Sequence, residues 1–142
     1  MLSKLRKLAI AGAVGSLGVG APLAAPGQDL PPLAQNEYIN TQLLAGFIGD
    51  LIDKNCSSIS ARKLVAFQKL YALRDHALSQ GYSRAQIESF VDDRAEKARL
   101  RAIASDYLAR AGARDGVEDS YCAIGRAEIA NRTLTGVLLR AR

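Results

Sequence analysis

Histidine, cysteine and tryptophan are almost missing from this chain. Its 142 residues hold one histidine, His76, two cysteines, Cys56 and Cys122, and no tryptophan. Each scarcity closes off a chemistry. A zinc site wants three or four ligands at a recognisable spacing, and two cysteines, one histidine and scattered carboxylates do not supply one. The 66 positions between Cys56 and Cys122 exclude the Cys-x-x-Cys arrangement, which sets a reactive thiolate beside its resolving partner. A nucleophilic triad would have to form around His76, which follows Asp75 among charged neighbours and reads as a solvated surface residue. Asp92, Asp93 and Glu96 could be drawn as a glycosidase pair, but caps and helix-dipole partners explain them better. No nucleophile, base and oxyanion set stands out, so the chain is expected not to be an enzyme. A Cys or Ser hydrolase using His76 is the enzymatic alternative, and no cofactor or metal is implied. Internal repeats and strand-like alternation are missing too.

Basic charge is also scarcer than it first looks. The formal charge is +5, but Lys4, Arg6 and Lys7 sit in an N-terminal targeting segment, and removing them leaves 16 Lys and Arg against 14 Asp and Glu, a balance of +2. Capture of a polyanion needs a clustered excess of cations, so nucleic acid is excluded as a partner, and the same near-neutrality argues against lipid headgroups.

What is present begins with that segment. Residues 1–7 carry the three cations, residues 8–25 carry none and are rich in Ala, Leu, Val and Gly, and small residues follow at Ala24, Ala25 and Gly27. This is signal-peptide anatomy, with cleavage expected after Gly27. Gly12, Gly15, Gly18, Gly20 and Pro22 make the run weakly apolar for a permanent anchor, so no stable membrane span is expected after cleavage. The expected organisation is a signal peptide at 1–27, a Pro-rich extended leader at 28–35 and a helical domain at 36–142. About 115 mature residues allow one modest core.

The helical expectation comes from caps and periodicity. Asn36 can cap a first helix over about residues 37–54, with Ile39, Leu43, Phe47, Ile48, Leu51 and Ile52 on one face. Serines 57, 58 and 60 offer caps for a second, whose buried side is expected to carry Leu64, Phe67, Leu70, Tyr71, Leu73 and Leu78, and which Gly81 ends. Ser83 and Gln86 form a capping box opening a third helix, with Ile87, Phe90 and Val91 inward. Asp93 and Glu96 repeat the box and predict a break near Asp92, then helix to about Ala111 burying Ala98, Ala102, Ile103, Tyr107 and Leu100. After a loop at Gly112 and Asp115-Gly116, a last helix from about Asp119 is expected to run to the C-terminus through Ile129, Leu134, Val137 and Leu138. The fold class is all-α: a single four- or five-helix bundle.

Export places the two thiols in an oxidising compartment, so Cys56 and Cys122 are expected to form one structural disulfide that staples the bundle. Surface candidates for recognition are Arg99 and Arg101 on the Arg-rich helix and Arg126 and Glu128 on the last one, although pairs such as Glu96 with Arg99 and Glu128 with Arg132 also fit a solvated face.

Four stretches, Cys56-Ser57-Ser58-Ile59-Ser60-Ala61-Arg62, Gly81-Tyr82-Ser83, Glu96-Lys97-Ala98-Arg99 and Tyr121-Cys122-Ala123-Ile124-Gly125-Arg126-Ala127-Glu128-Ile129, are followed by Gly136-Val137-Leu138-Leu139-Arg140. Together they resemble the domain of unknown function 5333 family, small exported proteins of alphaproteobacteria. The resemblance runs from about Leu30 to Arg140. It implies a periplasmic location and supports export and the cysteine pairing, and it carries no catalytic or ligand residues. The expected function is a periplasmic non-enzymatic accessory or binding protein that docks onto an envelope or inner-membrane protein complex. The alternative is a small-ligand carrier, for which close-packing residues such as Gly125, Ala127 and Ala130 leave little room.

Overall fold

A computed structural model describes Gly20 and residues 30–142, so the signal-peptide expectation for residues 1–27 lies outside the described residues, Gly20 apart. Among the described residues five helices form: α1 (Glu37–Asn55), α2 (Lys63–Ser79), α3 (Arg84–Asp92), α4 (Arg94–Arg110) and α5 (Glu118–Ala130). Short 3₁₀ turns at Leu33–Gln35 and Gly136–Leu138, and two three-residue strands, β1 (Ile59–Ala61) and β2 (Leu139–Ala141), complete the domain.

Local chemistry sets the starts. The Asn36 side chain accepts from the Ile39 backbone N–H at the head of α1. Ser83 makes the full capping box with Gln86 on α3. Asp93 breaks α3 from α4 and accepts from the N–H groups of Ala95 and Glu96, but Glu96 turns to Arg99 instead of returning the bond, so the second box is half made.

Three helices end alike. In each, the residue two past the helix adopts positive φ, and the next residue's N–H reaches back to a carbonyl inside the last turn: Tyr82 to Ala77, Ala113 to Leu108, Thr133 to Glu128. Glycine occupies the turning position in the first two, Gly81 and Gly112, but Arg132 occupies the third at φ 49°. That residue overturns the expected last helix. After Ala130 the chain folds back, Leu138 and Leu139 enter the core, and β2 pairs antiparallel with β1 in the register Ile59 to Ala141, Ser60 to Arg140 and Ala61 to Leu139. Strands of three residues are too short for alternation to show, which is why the sequence hid them.

The main core lies between α1, α4, α5 and the strand pair, and contains Ile48, Ile52, Ile59, Leu108, Ile124 and Leu139 around the disulfide. A smaller core joins Leu33, Ile39, Ala77 and Tyr82. The leader belongs to this second core and is not a free arm over its described part: Leu33 is buried, Leu30 packs against the cluster, and the Tyr82 hydroxyl donates to the Pro31 carbonyl at 2.7 Å.

Three expected faces differ. On α4 the buried residues are Leu100, Ala104 and Leu108, while Ala98, Ala102 and Tyr107 are exposed. Spacing by four sets the two long leucines on one line, and their area outweighs that of the alanines. On α3, Ile87 and Phe90 pack inward but Val91 stays out. On α2 the discrepancy is largest, since only Ala77 is fully buried.

Candidate functional site

The disulfide comes first, because its fate decides the thiol chemistry. Cys56 caps the end of α1 and Cys122 sits in the second turn of α5, their Cα atoms 5.2 Å apart, and the two are bonded as expected. Beside the bond, the Glu118 carboxylate accepts from the Ser57 hydroxyl and from its backbone N–H at 2.7 Å. These bonds, the hydroxyl's first, hold the Glu118 carboxyl below the ordinary carboxylate range. Glu118 and the two sulfurs lie within 4.8 Å of one another, but sulfurs spent on each other offer no thiolate to a metal. The same bond removes the thiol form of the hydrolase alternative. His76 lies on α2 with its ring 4.5 Å from that of Tyr38, an aromatic contact.

The four interface candidates do not act alike. Arg99 bonds Glu96 at 2.8 Å and reaches Asn40 of α1 at 2.6 Å, so it clamps two helices. Arg101 lies 5.9 Å from the centre of the Phe47 ring. Arg126 is exposed. Glu128 overturns its expectation, being 7% exposed and bound to the Tyr107 hydroxyl at 2.6 Å and to the Thr133 hydroxyl. Its carboxylate serves the turn after α5 and does not face outward. The Tyr107 hydroxyl is pushed above its ordinary value, first by that bond, then by burial and by the Glu128 charge.

The feature the sequence misassigned is the face of α2. Leu64, Phe67, Leu70 and Tyr71 are 72, 57, 53 and 47% exposed, although their three- and four-residue spacing marks them as a core stripe. The C-terminal segment folds back into the strand pair instead of continuing as helix, and among the described residues no element covers this stripe. Two open apolar grooves flank it. One, of about 290 Å³, runs between α1, α2 and the C-terminal turn, with Phe47, Leu70 and Leu134 in its walls and Asp50 and Lys69 on its rim. The other, of about 330 Å³, runs between α1, α2 and α3, with Phe67, Tyr71, Ile87 and Phe90 in its walls and Arg74, Glu88 and Asp92 among its polar residues. Leu43, Leu70 and Leu73 line both, so stripe and grooves make one surface. Tyr71 and Arg74 are ordered along it by a cation–π contact of 4.8 Å, and Phe67 meets Tyr71 edge to face.

No helix among the described residues is long and apolar enough to cross a membrane. No curated protein and no solved structure matches the chain. A family model does match, over residues 31–140, a span that takes in both cysteines, the α2 surface and all but the last residue of the strand pair, and the chain belongs to that family of unknown function, DUF5333.

Proposed function

We propose that this is a periplasmic, non-enzymatic accessory protein that binds an amphipathic helix of an envelope protein partner on the apolar surface of α2. Support for export is the cationic, apolar and small-residue order of residues 1–27. The observation that carries the binding reading is the helix whose core stripe faces water between two apolar grooves. A single exposed leucine is ordinary, but four such side chains, each about half exposed or more, present roughly 400 Å² of contiguous apolar surface, in the range of functional patches.

Groove form and rim charge favour a helix as occupant. A partner helix seats side chains at three- and four-residue spacing into long apolar grooves, and the rim carries both signs, Lys69 and Arg74 against Asp50, Glu88 and Asp92, which fixes register. A body already stapled by the disulfide loses little freedom on docking. A small apolar ligand is the second reading, favoured by groove volumes near the lower end for ligand sites. Open grooves bury less of such a ligand than a cavity does. Saturable uptake of a fluorescent fatty acid, abolished by Leu73→Trp, would favour it.

A photo-crosslinking residue at Phe67 or Leu70 in envelope preparations should give one discrete adduct with a protein partner, absent from the same probe at exposed Ala109 on α4. Leu70→Asp should remove the Phe67 adduct. If neither site gives an adduct and the protein runs alone at monomer mass, the reading fails.

A further inference from the structure

The strand pair does something the net charge conceals. Pairing of β1 with β2 brings residues 80 positions apart side by side, Ser60 opposite Arg140, and so gathers Arg62, Lys63, Arg140 and Arg142 around one cleft of about 500 Å³ at the start of α2. Among the described residues that line this cleft, Asp53 is the one side-chain carboxylate, and it is bound by Arg142 at 3.0 Å. Arg62 donates to the Val137 carbonyl at 3.2 Å and Arg140 to the Ser60 hydroxyl at 3.3 Å. Neutral partners fix the direction of these two guanidinium groups without cancelling their charge, and each keeps further N–H donors for an incoming anion. Leu64, the most exposed large apolar residue among those described, lines the same cleft.

We propose that this end of α2 is a membrane-surface contact, in which Arg62, Lys63, Arg140 and Arg142 receive the phosphates of an anionic bilayer while Leu64 enters the headgroup boundary. Cations beside a protruding aliphatic side chain are the chemistry of peripheral membrane surfaces. A soluble phosphate would use the arginines and leave Leu64 in water, so the combination commits the cleft to a lipid surface. Near-neutral net charge does not oppose this, because it averages over the molecule, whereas attraction within a Debye length depends on the local excess of three cations. The contact goes beyond partner binding in the grooves and orients the protein with the start of α2 toward the bilayer.

Flotation of the processed protein recovered from the periplasm, with phosphatidylcholine vesicles with and without phosphatidylglycerol, tests the proposal. The protein should float only with phosphatidylglycerol, and salt should release it. Arg62→Gln with Arg140→Gln should weaken partition roughly 30-fold, and Leu64→Ser several-fold. Lys97→Gln with Arg110→Gln removes the same charge elsewhere and should leave partition nearly unchanged. Failure of the wild type to float, or equal loss in the two double variants, overturns the proposal. Specific displacement by inorganic phosphate, beyond sodium chloride of equal ionic strength, also overturns it by assigning the cleft to a free anion. If the Arg62 and Arg140 variants lose the protein adduct while the wild type never floats, the cleft belongs to a protein partner and the membrane contact is refuted. The Leu70 adduct is read in separate samples, so its presence without flotation would defeat this inference and leave the proposed function standing.

Discussion

Gly136 and Arg132 decide where the chain turns after α5. A Cβ at Gly136 would sit 1.9 Å from the Glu128 carbonyl oxygen, a backbone atom with no side-chain freedom to yield. Gly136→Ala should therefore cost about 3 kcal/mol or more, at the upper end for overpacking, in a denaturant melt. Gly125 is a milder case, because its added methyl would meet the Ile59 and Ile52 side chains at 2.5 and 2.8 Å, and Gly125→Ala should cost about 1–3 kcal/mol. Arg132 runs the other way. Its positive φ strains a side chain that glycine would not carry, so Arg132→Gly should raise stability by about 0.5–1 kcal/mol, visible as a higher unfolding midpoint. At Glu118 the folded carboxyl lies below its unfolded value, so its contribution is full above about pH 4–5 and is lost as pH falls through the lowered folded value. Glu118→Gln should flatten that acid limb in urea midpoints taken from neutral to acid pH; an unchanged limb would show that the Ser57 contact contributes nothing.

At the scale of elements, legibility followed how local each cause was. The Asn36 cap, the Ser83 box and the glycine ends at Gly81 and Gly112 could be read because each is written in four or five neighbouring residues. The end of α5 could not, because its turning residue is an arginine and its fixing contacts join Glu128 to Tyr107 and Thr133 across the fold. Reading α5 through to the C-terminus then hid the strand pair and left α2 without its true surroundings. Periodicity marked Leu64, Phe67, Leu70 and Tyr71 as a stripe correctly, but amphipathic spacing does not say whether the cover comes from the same chain. The cationic cleft was illegible for a like reason, since only strand register joins Arg62 to Arg140. The leader tests the same point. Tyr82 donates to Pro31 and accepts from the Asn36 amide at 3.3 Å, so Tyr82→Phe should cost about 1 kcal/mol and speed amide exchange at the start of α1.

For the whole molecule, the disulfide lies within the main core while the face of α2 stands open to solvent. Joining Cys56 to Cys122 closes a loop of 66 positions, worth about 4 kcal/mol on the chain-entropy account, a large share of the 5–15 kcal/mol typical of a domain. Replacing both cysteines by alanine should lower stability by about that amount. The buried core around the disulfide holds none of the four residues of the α2 stripe. The most direct test measures both properties on one protein: Phe67→Ser with Leu70→Ser, followed by denaturant unfolding and by cross-linking from an added probe at Tyr71. The account predicts an unfolding free energy within about 0.5 kcal/mol of wild type for each exposed substitution, with the partner adduct lost. A fall of several kcal/mol with the adduct retained would show that the stripe is core and not a docking face, and would contradict the account.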